Sequence, residues 1–107
     1  MNNRDIALEF LRCFCAGDVA GLAPLLAENL SLRGPLYRFD SRDSYLDNLN
    51  NDQPDKCAYQ VLSVTESRDC VSIYYDYEKT DRTLTIAQLF RFENQRISQI
   101  LLVFDSR

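Results

Sequence analysis

Gln88 carries the most chemical information of any residue in the chain, because it interrupts the alternating apolar row Leu84, Ile86, Phe90, Phe92. A buried carboxamide without partners costs on the order of 1–3 kcal/mol, so Gln88 must meet either a neighbouring group or a ligand. Tyr75 and Tyr77 alternate in the same way one segment earlier. They could supply hydroxyls to a ligand, or act as core aromatics with their tips at a rim. Asp40, in Tyr37-Arg38-Phe39-Asp40, is the one acid nominated for proton transfer, with helix capping as its plainer role. Arg33, Arg38 and Tyr37 could present positive charge and a hydroxyl beside it, or form a solvated loop. Asp76 and Glu78, two apart on a strand, have the spacing of paired acid-base carboxylates, whereas Asp43 and Asp47, which share a helix face at i, i+4, are most simply a solvated surface. Thr83 and Thr85 flank the first pair, so a solvated outer face accounts for it better.

What is missing limits the chemistry further. None of the 107 residues is histidine, so the chain by itself cannot build a Ser-His-Asp or Cys-His nucleophile, a histidine-rich zinc or iron site, or a proximal haem ligand. Cys13 and Cys15 sit two apart in a predicted helix and point to nearly opposite sides, and Cys57 and Cys70 have no matching spacing. All four read as free thiols, and no metal or cofactor is expected. Sixteen acidic against twelve basic residues give a net charge of -4, with the ten arginines scattered and usually beside an acid. Nucleic acid is therefore not an expected partner. The opening Met-Asn-Asn-Arg-Asp has no apolar stretch of a secretory signal, and no run approaches a membrane span. The expected location is the cytoplasm, with no membrane partner.

The length fits one domain over residues 1–107, and 46% apolar with 26% charged residues is an ordinary globular balance. Residues 4 to 16 carry Ile6, Ala7, Phe10, Leu11 and Phe14 on one helical stripe, capped by Asn2 or Asn3 and closed by Gly17. Asp18 caps a shorter helix with Val19, Leu22, Leu25 and Leu26 inward, kinked or broken at Pro24. A short strand at 30–33 stops at Gly34-Pro35, and Asp40 or Ser41 caps a third helix holding Tyr45, Leu46 and Leu49. From there the period changes from 3.6 to 2, predicting strands at about 57–66, 70–79, 82–93 and 96–105. A turn at Thr80-Asp81 sets Lys79 opposite Arg82, Tyr75 opposite Ile86 and Ile73 opposite Gln88. One face then collects Val71, Ile73, Tyr75, Tyr77, Leu84, Ile86, Gln88, Phe90 and Phe92 as the core side. The last strand is apolar on both faces, with Leu101 and Val103 alternating with Ile100 and Leu102. That predicts helices over one face and a second subunit over the other.

Ala16-Gly17-Asp18-Val19-Ala20-Gly21-Leu22, Leu25-Leu26-Ala27-Glu28, Phe90-Arg91-Phe92 and the closing Ile97 to Asp105, in this order, resemble the nuclear transport factor 2-like superfamily. The resemblance is strongest to its SnoaL-like and ketosteroid-isomerase-like branch. It implies an α+β cone: a strongly curved antiparallel or mixed sheet wrapped around a long N-terminal helix, a cystatin-like roll. An enclosed apolar pocket and pairing through the outer sheet face go with it. The ketosteroid isomerases use a carboxylate base with a tyrosine and a protonated acid as oxyanion donors. Aligned on this chain, the tyrosine position falls on Phe10, the base on Gly34 and the acid on Gln88. Phe10 has lost the hydroxyl, Gly34 has no side chain, and Gln88 can donate through its amide but cannot titrate; a pocket without a base cannot lower the barrier to carbon deprotonation.

The reading that follows is a homodimeric protein binding a small, mostly hydrophobic molecule. Gln88, Tyr75, Tyr77, Phe10, Phe14 and Phe90 are the expected ligand-binding residues. One alternative is a SnoaL-like lyase, isomerase or hydrolase using Asp40 or a pocket tyrosine. The other is a noncatalytic interaction module whose pocket is filled by side chains. An open cavity reached by Gln88 favours binding or catalysis, and an acid inside it favours catalysis.

Overall fold

A computed structural model describes residues 1–105. The first helix, α1 (Asn3–Cys15), begins where the Asp5 amide donates to Asn2 Oδ1 at 2.8 Å. It ends at Gly17, whose φ of 72° is readily adopted only without a side chain. Asp18 then caps α2 (Val19–Leu22) by accepting the Gly21 amide at 2.9 Å. Pro24 breaks the α-helical ladder as expected, and Ala23–Leu25 continue as a 3-10 turn.

The next strand, β1 (Leu26–Arg33), starts four residues earlier than its apolar pattern predicts. Leu26 and Leu30 are both fully buried, and their i, i+4 spacing resembles a helix stripe. Four apart, they also share one face of a strand, and the exposed Glu28 between them, in the stretch where pairing with the last strand is irregular, hides the alternation. A two-residue strand, β2 (Arg38–Phe39), follows the Gly34-Pro35 turn and has no period to read. For α3 (Arg42–Asn51), the cap is Ser41, whose Oγ accepts the Ser44 amide at 3.1 Å, and not Asp40.

Four long strands complete the chain: β3 (Ala58–Ser67), β4 (Cys70–Glu78), β5 (Thr83–Glu93) and β6 (Arg96–Val103). The last ends two residues short of its predicted limit. The six strands form one open sheet in the order β2-β1-β6-β5-β4-β3, parallel only between β1 and β6. The β4–β5 register is the predicted one, with Tyr75 paired to Ile86, Ile73 to Gln88 and the Lys79 amide donating to Arg82 O at 2.8 Å. Register shifts at Val61/Ser63 and Arg91/Phe92 bend and twist the long strands.

The concave side packs on α1, which touches β3, β4 and β6. Ile6, Ala7, Phe10 and Leu11 from the helix meet Val71, Ile73, Ile86, Phe90, Ile97 and Ile100 from the sheet, all buried. The architecture is α+β, an N-terminal helix against a six-stranded mixed sheet, as the alternation of apolar residues predicts.

Candidate functional site

Period-2 alternation places Leu84, Ile86 and Gln88 on the inner side of β5 and Tyr75 and Tyr77 on the inner side of β4, and Lys79 and Arg82, just beyond the two strand ends, join them on the cavity wall. Phe10 and Phe14, one helical turn apart on α1, face them, and Leu32, Tyr45 and Leu102 close the remaining walls. These residues enclose a cavity of about 230 Å³. Its mouth lies between the Gly34–Tyr37 turn, tied by the Gly34 amide donating to Tyr37 O at 3.0 Å, and the Lys79–Arg82 hairpin. Leu36 and Tyr37 border it from the first turn.

Gln88 is only 3% exposed, and it is the one polar or charged residue buried among the described residues. The Tyr75 hydroxyl donates to its Oε1 at 2.6 Å. That bond fixes the amide orientation and leaves the Nε2 hydrogens as donors on the cavity side. Burial pushes the Tyr75 and Tyr77 hydroxyls well above their ordinary value of 10.0. Both stay protonated at neutral pH, as hydrogen-bond donors and not bases.

Four of the aromatic positions expected at the site, Phe10, Phe14, Tyr75 and Tyr77, border the cavity together with Gln88. Phe90 does not. It is fully buried and lies behind Phe10, with ring centroids 5.5 Å apart at 69°, so it supports the wall without reaching the lumen. Asp40 also lies elsewhere: its side chain is 80% exposed, 3.6 Å from the Arg38 guanidinium. Of the neighbouring group Arg33, Arg38 and Tyr37, only Tyr37 lines the cavity. Asp76 accepts from Thr85 Oγ1 at 2.7 Å on the outer face, Glu78 and Asp47 are exposed, and Asp43 pairs with Arg42 at 3.6 Å.

The three positions aligned with the isomerase groups do converge on this space. Phe10 and Gln88 line it, and a Cβ on Gly34 would stand 3.4 Å from Leu102 Cβ and 3.7 Å from the Tyr37 ring, both wall residues. Among the described residues, no aspartate or glutamate lines the cavity. Its two charged wall residues, Lys79 and Arg82, are both cations. Residues beside a hairpin turn read as solvated in sequence, and only the curvature of the sheet turns these two over the mouth.

Cys13 and Cys15 are buried and Cys57 and Cys70 half-buried, all as free thiols. Burial beside Cys57 pushes Cys15 up to about 12, so it remains a thiol at neutral pH. No group of metal-ligating side chains gathers among the described residues.

No family model matches the chain, and no curated protein does. Solved structures match closely in shape. A nuclear transport factor 2-like protein of unknown function from Cytophaga hutchinsonii superposes with a TM-score of 0.84 at 23% identity, over 98% of this chain and 91% of that one. A candidate ketosteroid isomerase from Kribbella flavida gives 0.85 at 17%, over 98% and 78%. An epoxide hydrolase of M. tuberculosis gives 0.77 at 13%, over 94% and 80%. Proteins of such different description share one backbone, so the likeness carries the fold and leaves the activity to the side chains. The helix, the open curved sheet and these superpositions agree that this chain has the nuclear transport factor 2-like fold.

Proposed function

We propose that this protein is a SnoaL-like binding protein that takes a small, mostly hydrophobic molecule into the cavity between α1 and the sheet. The observation that carries the reading is Gln88: a carboxamide held by Tyr75 and turned toward an open, mostly apolar space. A side chain kept only for packing would be apolar, since burying an amide costs stability unless its hydrogen bonds are made. The open volume speaks against an interior filled by its own side chains. At about 230 Å³ it falls below the roughly 300–1,000 Å³ of pockets for drug-sized ligands, so the ligand is small.

Binding is favoured over turnover because, among the described residues, no carboxylate stands on the wall, and the tyrosines hold their protons. Asp40, at the surface, is not the base of this proposal. The working unit is a homodimer joined through the outer sheet face, where Tyr74 and Val103 are 51% and 58% exposed. Among the described residues, no helix is long and apolar enough to cross a membrane. The proposed compartment is the cytoplasm, where four free cysteines stay reduced.

Native mass spectrometry of the purified protein tests the reading. The expected result is a mass increment of one small organic molecule per chain, extractable into organic solvent and lost or weakened about tenfold in Gln88→Leu. A folded Gln88→Leu variant that binds unchanged would remove the role given to that residue.

A further inference from the structure

The charges around the cavity are not those of the surface at large. The chain carries sixteen acids and twelve bases, yet both charged residues on the cavity wall are basic and, among the described residues, no acid joins them. With a net charge of -4 the whole molecule repels anions at long range, so a local preference for one must come from groups at the site.

Lys79 and Arg82 stand together across the hairpin, held in register by the Lys79 amide donating to Arg82 O at 2.8 Å. Arg82 and Gln88 are six residues apart along the inner side of one strand segment, about 20 Å at some 3.4 Å per residue. Leu84 and Ile86 lie between them and Phe14 faces them. The cavity is therefore polar at both ends and apolar in the middle. Its outer end has cations, and its inner end has a neutral donor, Gln88 Nε2.

Two features of the rim bear on the cations. Arg82 already has an interaction of its own, and a guanidinium carries five donors. Lys79 also borders a shallow cleft of about 190 Å³ beside Asp55, Glu78 and Asp81. Those acids line that cleft and not the cavity, so an anion entering the cavity meets Lys79 without meeting them. Four tyrosines on the wall, Tyr37, Tyr45, Tyr75 and Tyr77, would suit a cationic ligand through their ring faces. The Lys79 ammonium and the Arg82 guanidinium at the entrance oppose that choice.

We propose that the ligand is an anionic amphiphile of the carboxylic-acid class. Its carboxylate is held at the mouth by Lys79 and Arg82, and its apolar body lies along Leu84, Ile86 and Phe14 toward Gln88. This rests on the binding reading above and adds the charge of the head group to it.

Titration calorimetry with octanoate, octanol and octylammonium, which share one tail and differ in charge, tests the inference. The expected result is that octanoate binds about tenfold more tightly than octanol, with octylammonium weakest. Raising the salt concentration should shrink the octanoate advantage and leave octanol unchanged. The Lys79→Gln/Arg82→Gln variant should bind octanoate and octanol alike. If circular dichroism shows that variant unfolded, Lys79→Gln alone should lose about threefold for octanoate only. Equal binding of octanoate and octanol, tighter binding of octylammonium, or an octanoate advantage that survives in the folded variants overturns the anionic head group and leaves the pocket reading standing. No binding by any of the three overturns both.

Discussion

The Tyr75 hydroxyl and Gln88 Oε1, 2.6 Å apart in the interior, are coupled strongly enough to be measured. Replacing one partner leaves the other short of a bond, whereas replacing both with apolar groups of similar shape does not. Gln88→Leu and Tyr75→Phe are each expected to cost about 1–2 kcal/mol in urea denaturation, and the double variant less than the sum of the two. Additive losses would mean that the two groups do not support each other. Tyrosine burial also sets a pH limit. Folding raises the hydroxyl pKa of Tyr45 and Tyr75 above the ordinary 10.0, with burial as the main cause for both. Below that value the folded and unfolded chains both keep the protons and stability is unaffected. Above it the unfolded chain ionises while the folded chain cannot, so stability falls as pH rises. Denaturation midpoints should therefore hold through the neutral range and drop above about pH 10, and less so in Tyr45→Phe. At this scale the sequence was informative where alternation is strict: Gln88, Tyr75 and Tyr77 face inward as their spacing predicts. It did not separate Phe90 from the cavity wall, because an inward-facing residue can point into a lumen or into packed side chains with the same spacing.

The strands and their turns are fixed by local rules, and one turn is imperfect. The β5–β6 connection is a two-residue hairpin in which Asn94 and Gln95 have φ of 52° and 64°. Both are in the left-handed region that suits such a turn, but a β-carbon there costs roughly 1–2 kcal/mol for residues other than glycine, less for asparagine. Gln95→Gly is expected to raise the thermal midpoint by a few degrees, corresponding to a gain of about 1 kcal/mol. A lower midpoint would show that the Gln95 side chain contributes more than its backbone conformation costs. The β4–β5 pairing was legible down to individual partners, since a short polar turn leaves a hairpin one register that keeps its apolar face inward. The start of β1 was not, because the exposed Glu28 in its irregular pairing with β6 breaks the alternation, and leucines four apart fit a helix as well as a strand. That parallel neighbour lies 71 residues away in the paired Leu26 and Ile97, beyond any local pattern.

Across the whole molecule, the outer sheet face is the surface left to explain. Tyr74 pairs with Ala87 and Ala87 with Val103, which sets these three in one row, and Ser72, Leu89 and Leu101 form the next. A sheet face this apolar fits contact with a second copy. Light scattering at micromolar concentration should give the mass of a dimer, and Val103→Glu should give a monomer by placing a charge in the middle of the contact. A monomeric wild type would remove the dimer from the proposal. The sequence by itself determined the α+β class, the inner face of the sheet and the lack of imidazole chemistry, because periodicity and composition act through neighbouring residues. Only the tertiary structure decided that a cavity stays open, that Asp40 is outside it and that Lys79 and Arg82 guard its mouth. Those depend on how far the sheet curves around α1, which is settled by packing between residues far apart in the chain and leaves no local spacing to read.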